Sequence, residues 1–379
     1  MAQAQEAIAA GARQDVAEDQ VYVASQWQLM WWRLRKHRLA MGAGVVLVIM
    51  YLIVIGADFL ATSDPFLSEA RRGEMSPQRV HFFDGWKPDL HVNSVTGARD
   101  PKTFKRVYTA DPDVKIPIRF FARGFEYKFM GLITTDRHLL GVDAPAKAEE
   151  IIFILGTDVQ GRDVWSRLMY STRISMTIGL VSVAISLFLG VLLGGLSGFY
   201  GGWIDTVIQR VIEILRSIPT IPLWMGIAAA VPRDWSIIKV YFAITIIISL
   251  IGWTTLAREV RGRFLSLREE DFVTAAEIAG ASQLRIIFRH MVPSFISHII
   301  AATTLALPAI IISETSLSFL GLGLRPPAIS WGVMLQQAQN IQAVALTPWL
   351  LVPAVPVIVA VLAFNFLGDG LRDAADPYG

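Results

Sequence analysis

The stretch ISMTIGLVSVAISLFLGVLLGGLSGFYGGWI, residues 174–204, contains no charged side chain. A helix needs about 20 apolar residues to cross roughly 30 Å of hydrocarbon, and this run is longer than that. Gly190, Gly194, Gly195, Ser197 and Gly198 cluster in its second half, where small side chains let a neighbouring helix approach closely. Working outward, five more runs qualify as spans: Leu39–Leu60, Ile214–Val231, Val240–Ala257, Phe295–Leu320 and Trp349–Leu367. The run Ile214–Val231 contains Ile218-Pro219-Thr220-Ile221-Pro222 near its start. Proline is tolerated in a membrane helix where neighbours satisfy the freed carbonyls.

Composition agrees. Of 379 residues, 53% are hydrophobic and 17% charged, with a mean hydropathy of +0.48, against about 25% charged in soluble domains. The net charge of +2 is too small to argue for a nucleic-acid partner. The 11 Trp suit two membrane–water interfaces. There is no cysteine, which excludes disulfides, Cys-ligated metals and thiol nucleophiles. The first 38 residues lack the apolar core and cleavage site of a signal peptide, so the run from Leu39 is expected to remain as an anchor.

Short basic flanks set the orientation. Arg33, Arg35, Lys36 and Arg38 precede the first span. Arg258, Arg261, Arg263, Arg268, Arg285 and Arg289 fall between the fourth and fifth. On the other side, the short loops between the third and fourth and between the fifth and sixth spans carry only Arg233 and Arg325, with Lys239 at the edge of the fourth span; the long segment between the first two spans does not count in the charge rule. Six crossings put both termini and the arginine-rich loop together, and the positive-inside rule makes that side cytoplasmic. The expectation is therefore an all-α polytopic membrane protein with about six transmembrane helices and a small, partly β external insertion. Residues 1–38 form a cytoplasmic segment, 39–60 the first helix and 61–154 the insertion. Residues 155–379 form a core of five helices with a cytoplasmic loop at 259–293. In the insertion, Val114, Ile116, Ile118 and Phe120 alternate as on one face of a strand. Asp111-Pro112-Asp113 and Ala144-Pro145 read as turns.

The loop reads EEDFVTAAEIAGASQLRIIFRHMVP over 269–293. Acidic residues at 269–271 suit a helix N-terminus, and Ala275, Ala276 and Ala279 favour helix while adding little bulk. Gly280 is a natural stop, and Ser282 can cap a second helix. That helix carries Leu284, Ile287 and Phe288 on one side and Arg285 and Arg289 on another, as expected of one lying along the membrane surface. Such a helix–glycine–helix elbow can seat in a cleft on a partner; the alternative is an amphipathic connector resting on lipid.

This segment resembles the cytoplasmic signature of binding-protein-dependent ABC permeases. Thr274, Ala275, Ala276, Gly280, Val292 and Pro293 fall on its positions. Thr274 replaces a Glu and His290 an Ile, as in the peptide-permease branch. Three more stretches resemble the second-subunit permeases of the dipeptide/oligopeptide/nickel family. They are Leu155-Gly156-Thr157-Asp158 with Gly161-Arg162-Asp163, Ser316 to Gly323 with Pro326-Pro327 and Ser330-Trp331-Gly332, and Asn365 to Asp373. The resemblance implies a permease subunit of an importer of peptides or similar solutes. Its partners would be a second homologous permease, two cytoplasmic ATPases that carry the ATP and Mg, and an external solute-binding protein. Thr274, Ala275, Ala276, Glu277, Gly280, Ser282, Arg285 and Pro293 would couple to an ATPase.

No phosphate-binding Gly-x-x-x-x-Gly-Lys-Ser/Thr loop is present, so this chain is not expected to bind ATP phosphates itself; on the permease reading it holds no cofactor and performs no catalysis. His81, His91 and His138 share the insertion and read as surface polar groups ahead of metal ligands. Glu314 is the one acid well inside a span; it either lines a passage or outer gate or is a satisfied structural carboxylate. An ion-gradient-driven transporter or channel, the rival reading, calls for several buried ionisable residues and inverted repeats. A membrane-embedded enzyme calls for a convergent polar set within the spans. Neither pattern is visible.

Overall fold

The computed structural model describes residues 25–84, 86–102, 106–142, 151–232, 234–339 and 345–375; Ala144-Pro145 and Arg233 lie outside them. Five helices are long and apolar enough to span: α2 (Arg38–Leu60), α3 (Val164–Tyr200), α6 (Ile237–Leu267), α8 (Ile296–Phe319) and the Pro348–Ala375 segment, which contains α10 (Ala354–Ala375).

Ile214–Val231, expected as one span, is two helices. α4 (Gly202–Ser217) and α5 (Thr220–Ala229) meet at 88°. Proline bars the residue before it from helical backbone, and Ile218 sits at φ −92°, ψ 130°. Pro222 falls in the first turn of α5, where no partner for its missing N–H is needed. The pair passes the length and composition test for a span only when its two halves are taken together. Two other helices run past their expected ends. α3 begins at Val164, ahead of the uncharged stretch, and α6 continues to Leu267. Arg258, Arg261 and Arg263 therefore lie on helix rather than in a loop.

α3 and α6 run side by side in the same direction along a small-residue seam at four-residue spacing. Ser182 Oγ donates to the Thr245 carbonyl at 3.3 Å, Ser249 Oγ to the Ser182 carbonyl at 3.2 Å, and Ser186 Oγ to the Ser249 carbonyl at 3.3 Å. Further along, glycines take over: a Cβ on Gly194 would lie 2.5 Å from the Ala257 carbonyl oxygen, and one on Gly198 2.6 Å from the Phe264 Cβ. In hydrocarbon, close van der Waals approach and interhelical hydrogen bonds drive association.

A short helix precedes the first span. α1 (Gln26–Lys36) starts with a capping box between Ser25 and Gln28. Met30 and Leu34 are buried against Ala301 and Leu371, while Trp27, Trp31 and Trp32 face outward, the pattern of an interfacial helix. His37 then caps α2, its Nδ1 accepting the Ala40 N–H at 3.1 Å.

The insertion contains two antiparallel sheets, β1 (Val80–Asp84), β2 (Lys87–Arg99) and β3 (Arg106–Pro117) in one, β4 (Arg119–Phe129) and β5 (Ile133–Gly141) in the other. The expected single strand face breaks between them. Ile116 and Ile118 are buried with Val92 and Ile152, but Val114 and Phe120 are exposed: Val114 sits in an irregularity of β3, and Phe120 follows the change of sheet at Ile118. Asp111-Pro112-Asp113 is not a turn between strands. It is a bulge inside β3, where the pairing jumps from Asn93–Lys115 to Ser94–Asp111; a bulge tolerates proline's missing donor. His81 and His91 stack at 5.2 Å. His138 lies apart, buried between the Asp58 and Phe125 carbonyls at 3.0 Å each. Among the described residues no group of His, Asp and Glu could hold a metal.

The seam yields a paired prediction. Gly194→Ala should destabilise the protein by about 1–3 kcal/mol through overpacking. Gly262→Ala on the same α6, where an added Cβ meets nothing within 4 Å, should be neutral or stabilise by up to about 1 kcal/mol. Thermal unfolding midpoints in detergent check the opposite signs.

Candidate coupling site

Between α6 and α8 the chain forms the elbow. α7 (Asp271–Ile278) starts after Glu270, whose backbone is extended, with Asp271 in its first turn. Its end is a Schellman motif: the Gly280 N–H donates to the Glu277 carbonyl at 2.9 Å and the Ala281 N–H to the Ala276 carbonyl at 3.0 Å. Gly280 has φ +75° with no heavy atom near an added Cβ. Backbone conformation, not space, requires glycine there.

Val273 is fully buried, and it and Ala276 pack into a cluster with Phe264 of α6 and Met291 and Phe295 at the start of α8. Thr274, Ala275, Glu277 and Gly280 point outward. The elbow is thus a small exposed knob riveted to two spans. Ile278 is 84% exposed, and the sequence reading passed over it. At 3.6 residues per turn Ile278 lies about 140° from Val273, so one buried face cannot hold both; that angle was the available signal.

The second half of the elbow differs from expectation. Ser282 occupies an N-cap position, with extended backbone, but its side chain makes no cap hydrogen bond. The helix after it lasts only for Gln283–Arg285 before a π-helical stretch, Ile286–Met291. There the Val292 N–H reaches back to the Ile287 carbonyl, just ahead of Pro293, which has no N–H to give. The wider turn re-aims the side chains. Ile286, Ile287 and Met291 are buried, while Leu284 and Phe288 stay exposed, as do Arg285 and Arg289. A strip of Leu284, Ile287 and Phe288 on one surface is therefore not formed.

Beside the elbow, Arg261 of α6 makes a bidentate pair with Asp205 of α4, both contacts 2.6 Å, and Ser197 donates to the same carboxylate at 2.5 Å. Paired guanidinium–carboxylate forks fix orientation as well as charge. α4 is thereby tied to the helix that carries the elbow.

At the opposite end of the helices Glu314 of α8 is completely buried. It accepts from Ser175 of α3 at 3.0 Å and from Ser318 at 2.9 Å. Ser175 also accepts the Trp331 N–H at 3.2 Å, opening α9 (Trp331–Gln336), and the Trp331 indole donates to Thr172 at 3.2 Å. The carboxylate thus joins α3, α8 and the loop before α9. Asp158 binds Arg162 at 2.7 Å, while Gly156 and Gly161, both left-handed, sit against the backbone of Met75 and Glu69. Leu155 to Asp163 is a clasp closing this end.

Among the described residues, five helices long enough to span, a bent helix pair and a small knob on an otherwise charged loop define a polytopic membrane protein. Comparison with known proteins makes this specific. Residues 190–378 match the binding-protein-dependent transport system inner membrane component family, and residues 25–77 the N-terminal transmembrane domain of oligopeptide transport permease C. The chain is 36% identical over 241 residues to the oligopeptide transport system permease protein OppC of Bacillus subtilis, covering 63% of this chain and 75% of that one. It is 39% identical over 223 residues to the dipeptide transport system permease protein DppC of Alkalihalophilus pseudofirmus, covering 59% and 71%. A solved inward-facing MetNI methionine ABC transporter chain is 18% identical, with a TM-score of 0.44 over 55% of this chain and 95% of that one. The chain belongs to the binding-protein-dependent inner membrane permease family, in its OppC/DppC-like branch. It is a non-catalytic, multi-pass permease subunit of an ATP-binding-cassette importer, and ATP is hydrolysed by separate subunits.

Gly280→Ala should raise the local free energy of the elbow by about 1–2 kcal/mol, the cost of a left-handed alanine. Amide exchange at Ala281, whose N–H closes the motif, should quicken by roughly tenfold or more, with the global unfolding midpoint nearly unchanged. Hydrogen exchange read by mass spectrometry checks it.

Proposed function

We propose that the chain moves peptides or similarly small solutes into the cytoplasm, with the knob Thr274 to Gly280 seated in a cleft of a cytoplasmic ATPase. The carrying observation is the exposed tip around Ile278 on a base formed by Val273, Phe264 and Phe295. An exposed apolar side chain amid small residues is what a partner's cleft accepts. Its base joins α6 and α8, so a push on the knob reaches both helices as one body, and through the seam it reaches α3.

On this reading Thr274, Ala275, Glu277 and Gly280 touch the ATPase, Ala276 and Pro293 set the elbow's shape, and Ser282 and Arg285 flank the contact. Both termini and the elbow face the cytoplasm, following the arginine distribution. The complete importer has a second homologous permease, two ATPases that hold the ATP and Mg, and an external solute-binding protein. ATP binding favours the arrangement that draws the knobs together, which is a population shift between two states of the permease pair. Glu314 holds the external closure by tying α3 to α8. The solute class rests on the relatives, which include oligopeptide, dipeptide and glutathione permeases.

Ile278→Asp should lower co-purification with the ATPase and ATP-driven uptake by about tenfold or more, the scale of one lost interface anchor. The unfolding midpoint of the permease should stay unchanged. Ala275→Arg should act alike. Ala276→Arg is the poorer probe, because Ala276 packs into the base. Normal association and uptake in both surface variants would end the coupling assignment.

A further inference from the structure

A cavity of about 650 Å³ lies beside the α4–α5 break, walled by α4, α5, α6, α8 and the end of α10. Its position has a physical meaning. Non-helical backbone at membrane depth persists only where it is buried in protein or lines a water-filled space, and broken helices are where transporters build solute sites.

The lining is rich in donors. Arg216, in the last turn of α4, donates from Nη1 to Thr255 at 3.1 Å, and a guanidinium has five N–H groups to give. Arg372 also lines the cavity, and no ion pair holds it among the described residues. Glu259 is the only acid among the described lining residues, and it lies 3.6 Å from His298. The wall therefore offers two arginines against one carboxylate already beside an imidazole.

We propose that this cavity is a solute-contact site in the passage, selective for a carboxylate-bearing solute. The carboxylate is held by Arg216, with Arg372 adding positive potential from the same wall. The volume lies within the range of pockets that enclose small organic ligands. This rests on the import function proposed above and assigns selectivity to the permease itself.

The test uses the complete importer in proteoliposomes, with ATP-driven uptake of trialanine compared with trialanine amide, which has no carboxylate. Each probe is compared only between variant and wild type, so the binding protein's own preference cancels. Arg216→Gln should raise the half-saturating concentration for trialanine about tenfold, the size of one lost charge-assisted hydrogen bond. The amide should change less than about twofold, well under one such bond. Arg216→Lys should restore most of the loss. Equal loss for both probes in Arg216→Gln, or none for either, overturns the site and leaves the import function standing. If the wild type takes up neither probe, the peptide reading falls. The site is then judged by photolabelling the nucleotide-free complex with a benzophenone-bearing tripeptide acid. Labelling within 215–224 or 298–313 supports it, and labelling elsewhere or none overturns it.

Discussion

The parallel contact between α3 and α6 is what the remaining structure hangs on. Between helices in lipid, burial of apolar surface offers little, because tails are as apolar as leucine. Distance is what matters. Ser182, Ser186, Gly190, Gly194 and Gly198 fall at four-residue intervals, so one face of α3 stays nearly flat. Ala257 and Phe264 of α6 then lie against the α3 backbone, and serine hydroxyls reach carbonyls across the gap. A bulkier side chain at one glycine would lever the helices apart along their length.

This seam joins the two working ends. At one end α6 carries the elbow's base through Phe264, and Asp205 is locked to Arg261. At the other, Glu314 binds α3 and α8 through Ser175 and Ser318, and Asp158 organises the clasp with Arg162. Each buried charge meets donors or a counter-charge, as low-dielectric surroundings demand. A load applied at the elbow therefore travels through packed backbone and fixed polar contacts rather than through mobile side chains.

The bent pair of α4 and α5 gives up the continuity of a single helix. Its backbone groups near Ile218 and Pro219 lose helical partners, and space opens beside Arg216 and Trp224. The insertion, by contrast, folds on its own small core of Val92, Ile116, Ile118 and Ile152. It is joined to the spans through His138 against the end of α2.

Much was legible from residue order because the relevant physics is local. Hydrocarbon thickness and backbone satisfaction make apolar length decisive, so the five continuous spans show directly. The Ala-rich turn ending at Gly280 shows too, because a left-handed residue after a helix selects glycine. Tertiary structure alone decided whether the prolines at 219 and 222 kink a helix or split it, since that depends on neighbours accepting the freed groups. It decided that the π turn before Pro293 buries Ile286 instead of Leu284. It also decided that Asp111-Pro112 becomes a bulge, because strand pairing is set by a partner strand distant in sequence. Glu314 marks the same limit: a lone acid in an apolar run states its cost, and only the packed helices show that Ser175 and Ser318 meet it.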